Sequence, residues 1–104
     1  MIDKKISIME KALEHHADSV ELMLLYLQAC SLRDTVAEVL LKWEKAVPMF
    51  SGSYRFWKEF LAFISSQFSM FSVSTIRALL IRALRALTAA RDRLLNGVGH
   101  LFPC

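Results

Sequence analysis

The chain has 104 residues and carries a formal net charge of +3, with 55% hydrophobic residues, three glycines, two prolines and two cysteines. That length holds one domain at most. Two cysteines exclude a disulfide framework, and so little Gly and Pro leaves small room for the turns of a sheet. Mean hydropathy is high, at +0.37, as expected for a segment of a longer array whose apolar ends are covered by its neighbours.

The first helix is predicted over residues 3–16. Ile6, Met9 and Leu13, with Ile2 and Ala12, recur at three- and four-residue steps. Lys4, Lys5, Lys11 and Glu14 face away. Asp18-Ser19-Val20-Glu21 reads as a capping box that starts the second helix at Asp18. Leu22, Leu25, Tyr26, Ala29 and Cys30 form one face, which Met23, Leu24 and Leu27 widen. A helix apolar over most of its circumference sits between neighbours. Thr35-Val36-Ala37-Glu38 is a second capping box, and Val36, Val39, Leu40, Trp43, Ala46 and Val47 follow at helical spacing until Pro48. Ser51-Gly52-Ser53 supplies a turn and a cap. The fourth helix is predicted over 53–66, with Phe56, Trp57, Phe60, Leu61 and Ile64 inward and Lys58 and Glu59 outward. Residues 67–72 read as an ordered loop whose Phe68 and Phe71 pack downward. The fifth helix is predicted from Ser74 to Leu95, with Ile76, Leu79, Leu80, Ala83, Leu84 and Leu87 as its stripe and Asn96-Gly97 as its stop. Residues 1–95 thus form the helical segment and 96–104 a frayed tail.

The elements echo one another. At an offset of 34, Glu10-Lys11-Ala12 falls on Glu44-Lys45-Ala46, Ser19 on Ser53, Leu27 on Leu61 and Ser31 on Ser65. Tyr26 falls on Phe60 and Met23 on Trp57. The excess of residues 67–72 shifts the next echo to 37, where Ala46-Val47 answers Ala83-Leu84. A fixed period of this size marks a solenoid of helix pairs.

Candidate sites are few. Trp43, Trp57, Tyr26 and Phe60 read as inter-helix core rather than exposed anchors. Adjacent His15 and His16 point about 100° apart on a helix and cannot share a metal as i, i+4 pairs do. Cys30 lies on an apolar face with no base at a supporting spacing. No Gly-rich phosphate loop is present. No run reaches ~18 uncharged apolar residues, so no membrane span is expected, and no signal peptide is visible at the N-terminus. These patterns call for neither enzyme activity nor a cofactor.

Charge is uneven. Residues 1–52 carry six basic and eight acidic side chains, and residues 53–104 carry seven basic and two acidic. Arg77, Arg82, Arg85 and Arg93 of the fifth helix lie within roughly one side, flanking the apolar stripe. They are the candidate surface for RNA phosphates or an acidic protein, and a solvated basic face with no ligand is the competing reading. A basic amphipathic helix also suits a membrane surface or calmodulin, a more distant reading.

Phe56-Trp57-Lys58-Glu59-Phe60-Leu61 resembles the first-helix signature of HAT (half-a-TPR) repeats. Met9-Glu10-Lys11-Ala12-Leu13 and Trp43-Glu44-Lys45-Ala46-Val47 resemble the second-helix signature. Met23 stands where that first helix would carry Trp, and Ala17 where a Pro often follows. With Ser66-Gln67-Phe68-Ser69-Met70-Phe71-Ser72-Val73-Ser74-Thr75-Ile76 added, residues 5–87 resemble the nuclear RNAi-defective family. The resemblance implies an all-α, HAT/TPR-like superhelix of about five antiparallel helices. Trp43, Phe56, Trp57, Phe60, Leu61 and Tyr26 would be its repeat-signature core. It further implies a nuclear, non-enzymatic scaffold in RNA surveillance and RNA-mediated silencing, acting with the exosome-associated RNA helicase. In that family the helicase-contacting region lies outside the repeat array. Direct RNA binding along the fifth helix is the alternative, and self-association through uncapped apolar ends a further expectation.

Overall fold

The computed structural model describes residues 1–67 and 71–101, the last five as backbone only. It contains five α-helices: α1 (Ile2–His15), α2 (Val20–Arg33), α3 (Val36–Phe50), α4 (Tyr54–Ser66) and α5 (Val73–Leu101). No strand occurs among the described residues. The chain is all-α, as expected, and consistent with a helical-repeat solenoid. The helix starts carry the echo: α1 and α3 begin 34 residues apart, as do α2 and α4, and α3 and α5 begin 37 apart.

The caps explain where the helices start. Ser19 Oγ accepts a hydrogen bond from Leu22 N at 3.2 Å, and Ser53 Oγ accepts from Phe56 N at 3.1 Å. These equivalent serines do the same task in both repeats. The cap of α2 is therefore Ser19, not Asp18; Ser19 has the extended backbone that a cap requires. Thr35 Oγ1 accepts from Glu38 N as predicted. Ser72 Oγ accepts from Thr75 N at 3.2 Å, so α5 begins earlier than Ser74. Pro48 sits in the last turn of α3. α5 runs on through Asn96-Gly97 to Leu101. A glycine inside a helix costs about 1 kcal/mol relative to Ala, which weakens a helix without ending it.

The chain divides into two compact units, Met1–Phe50 and Ser51–Cys104. In the first, α1 packs on α2 and α2 on α3. Ile6, Leu24, Leu27, Cys30, Val39 and Trp43 are buried there. Polar pairs set an antiparallel register: Asp3, early in α1, meets Arg33, late in α2, at 3.0 Å, while Glu10 accepts from Tyr26 Oη at 3.0 Å. Arg33 Nε also donates to Asp34 at 2.7 Å, and Lys42 of α3 reaches Asp34 at 3.6 Å. The Arg33 hydrogen bond holds the Asp34 carboxyl below its ordinary pKa range. Leu25, assigned to the inner face, is 51% exposed. On a helix apolar nearly all round, sequence period cannot select the covered side, and packing selected Leu24, Leu27 and Ala29.

In the second unit α5 packs on α4. Phe56, Trp57, Phe60 and Ile64 are buried, opposite Leu79 and Ala83. Trp57 and Phe60 lie 5.9 Å apart and nearly parallel, with Phe56 edge-on to both. Trp57 Nε1 donates to the Ser51 carbonyl at 2.8 Å. The turn between the serines comes close to α5: a Cβ built at Gly52 would lie 3.3 Å from Ala90 Cβ. Phe71 is half-buried, whereas Phe68 lies outside the described residues. No described helix is long and apolar enough to cross a membrane.

Candidate functional site

The fifth helix was the surface singled out by sequence, and its arginines are all exposed. They spread over about 160° of the helix circumference. At about 100° per residue, Arg82 and Arg93 fall on one flank of α5, Arg77 on the other and Arg85 between them. The Arg82 guanidinium sits over the Trp57 ring, 5.7 Å from its centroid, a cation–π contact that ties this arginine to the α4 surface. Arg85 borders a shallow hollow with Ile81, Leu84, Thr88, Ala89 and Asp92.

The repeat-signature residues are core. Trp57 and Phe60 are 1% and 0% exposed with Phe56 buried beside them, and Trp43 is buried in the first unit. Leu61 and Tyr26 are half-buried. Burial and then the hydrogen bond to Glu10 push the Tyr26 phenol well above its ordinary pKa. Cys30 is buried beside it, and desolvation raises its thiol pKa. That favours the protonated thiol over the nucleophilic thiolate. Cys104 lies outside the described residues. His15 and His16 are exposed at the end of α1, and no group of three metal-ligating side chains occurs among the described residues.

One feature of this surface was not visible in sequence. Tyr54, Trp57, Lys58 and Leu61 of α4 face Leu80, Ala83, Leu84 and Leu87 of α5 across a hollow of about 250 Å³. Leu80 and Leu84, expected in the buried stripe, are 45% and 56% exposed. α4 covers the Leu79–Ala83 side of α5, and the neighbouring line of leucines stays in water. Periodicity located the apolar face but not the edge of its cover.

The family defined as "NRDE-2, necessary for RNA interference" matches residues 1–97. The chain belongs to this NRDE-2 family. The mouse protein named "Nuclear exosome regulator NRDE2" is 34% identical over 92 residues, 88% of this chain and 8% of the mouse protein. The human protein of that name is 33% identical over the same length and shares. The chain thus spans less than a tenth of the NRDE-2 relatives it matches. No solved structure matches it. The relatives' nuclear designation agrees with the nuclear location expected here. The family match spans α1 to α4 and most of α5, so it covers the capped helices and the groove alike.

Proposed function

We propose that this chain is a non-enzymatic, HAT-type interaction segment of a nuclear RNA-surveillance protein. Residues 1–95 would be its repeat-bearing part within a longer array, with 96–104 as a tail into which α5 continues as far as Leu101. The assembly it serves would be the one built around the exosome-associated RNA helicase, in RNA-mediated silencing and exosome regulation. The match to two nuclear exosome regulators over 88% of the chain carries this reading. The packing supports it: aromatic and aliphatic side chains fill the core, while large apolar residues such as Leu80 and Leu84 remain exposed.

Direct RNA binding through Arg77, Arg82, Arg85 and Arg93 is the rival reading, and the basic excess of residues 53–104 favours it. Its weakness is geometric, since the four arginines fall on different flanks of α5 and Arg82 lies over Trp57. A salt titration with the Arg82→Ala/Arg85→Ala variant separates the two. Phosphate binding weakens steeply with salt and falls in the variant. Capture of protein partners that is unchanged by both substitutions supports the interaction segment. Tight, salt-steep RNA binding lost in the variant overturns it in favour of RNA.

A further inference from the structure

The groove between α4 and α5 has walls built on one plan. Each contributes residues at i, i+3, i+4 and i+7: Tyr54 to Leu61 on one side and Leu80 to Leu87 on the other. Seven residues of helix rise about 10 Å, so the floor is two turns long. Leu80, Leu84 and Tyr54 stand substantially in water along it. The backbone polar groups of both walls are satisfied within their own helices, so an extended peptide finds no edge to pair with. A third helix, laid along the groove with its own apolar ridge, fills such a space.

Charge selects which helix. Arg77 and Arg91 stand seven residues before and after Leu84. Seven residues turn a helix to within about 20° of the starting line. Each arginine therefore stands just beyond one end of the Leu80–Leu87 wall of the groove, and Lys58 lines the α4 wall between them. Arg91 pairs with Asp92 at 3.6 Å, with both side chains exposed, a contact that a competing carboxylate displaces at small cost. A second copy presenting the same face would set arginine against arginine, which disfavours self-association here.

We propose that this groove docks an amphipathic helix from a partner protein, with apolar anchors over Leu80 and Leu84 and Asp or Glu placed to meet Arg77, Lys58 and Arg91. This rests on the interaction-segment reading and assigns the partner's chemistry.

The test is a selection of displayed single-helix peptides, with randomised surface positions, on the immobilised 104-residue chain. Fluorescence anisotropy at 0.15 M salt then ranks the winners. Enrichment of helices with large apolar residues at i, i+3 or i+4 and i+7, flanked by acidic residues, is expected. Leu84→Asp should weaken them about thirtyfold or more, as loss of a central anchor does. Because Leu84 is exposed, its helical circular dichroism should not change. Arg77→Glu/Arg91→Glu should weaken acidic winners roughly tenfold and strengthen their Lys-for-Glu counterparts. Failure to enrich any helix, winners with neutral or basic flanks, or winners indifferent to Leu84→Asp each overturn the proposal. So does a single-stranded RNA that binds more tightly than the winners and displaces them. If Leu84→Asp leaves nuclear protein partners bound, the groove assignment fails while the interaction reading stands. If all partners depend on RNA, the interaction reading itself fails.

Discussion

Replacing Trp57 probes the part of the second unit on which most contacts converge. The indole is 1% exposed, stacked on Phe60, edge-on to Phe56 and capped by the Arg82 guanidinium. Its Nε1 satisfies the Ser51 carbonyl at 2.8 Å. Trp57→Phe keeps a ring for Phe60 but removes the donor, leaving that carbonyl short of a partner, at a cost of about 1–3 kcal/mol. Trp57→Ala removes the ring as well and leaves a cavity, raising the cost to about 3–5 kcal/mol. Urea unfolding followed by far-ultraviolet circular dichroism reads both, provided the m-value is unchanged. The ordering matters as much as the size: Ala should cost more than Phe, and Phe60→Ala should match Trp57→Ala within about 1–2 kcal/mol. A Trp57→Ala loss below about 1 kcal/mol would refute the aromatic core as the unit's main stabiliser.

Ser19→Ala should cost about 1 kcal/mol, whereas Asp18→Ala should cost less than half of that, because only Ser19 receives the Leu22 amide. Ser53→Ala should cost about the same as Ser19→Ala in the same unfolding assay. Gly52→Val should destabilise by about 1–3 kcal/mol, since a side chain there must push against Ala90. The Tyr26 pKa is raised in the folded chain, so its contribution is fully present below the unfolded phenol pKa of about 10 and is lost as pH rises above it. Tyr26→Phe should flatten the alkaline loss of stability; an unchanged pH profile would contradict the assigned environment. Asp34 works in the opposite direction: its lowered pKa stabilises above the ordinary carboxylate range, and that contribution disappears as acid protonates it. Asp34→Asn should shallow the acid limb of the stability curve.

The helices were legible because spacing, caps and the 34-residue echo all point the same way, and the repeat-like part of the resemblance includes Trp43, Phe56, Trp57 and Phe60, which the fold buries. Errors arose where one-dimensional pattern offers two equal answers. Asp18 and Ser19 are both good caps one residue apart, and only the backbone at Ser19 decides between them. Leu25 looks as apolar as Leu24, and Leu84 as apolar as Ala83, yet neighbouring helices cover one and leave the other in water. The arginines of α5 looked alike in sequence, but their roles depend on the position of α4. Arg82 meets Trp57, whereas Arg77, seven residues before Leu84, falls on nearly the same line of the helix as that exposed leucine.

The decisive measurement is affinity purification, from nuclei, of the full-length protein that carries this segment, with and without nuclease. Exosome-linked proteins that remain bound after RNA is digested, and bind less when this segment is deleted, are the predicted result. Partners that vanish on digestion, or that persist undiminished without the segment, would contradict a protein-docking role for these helices.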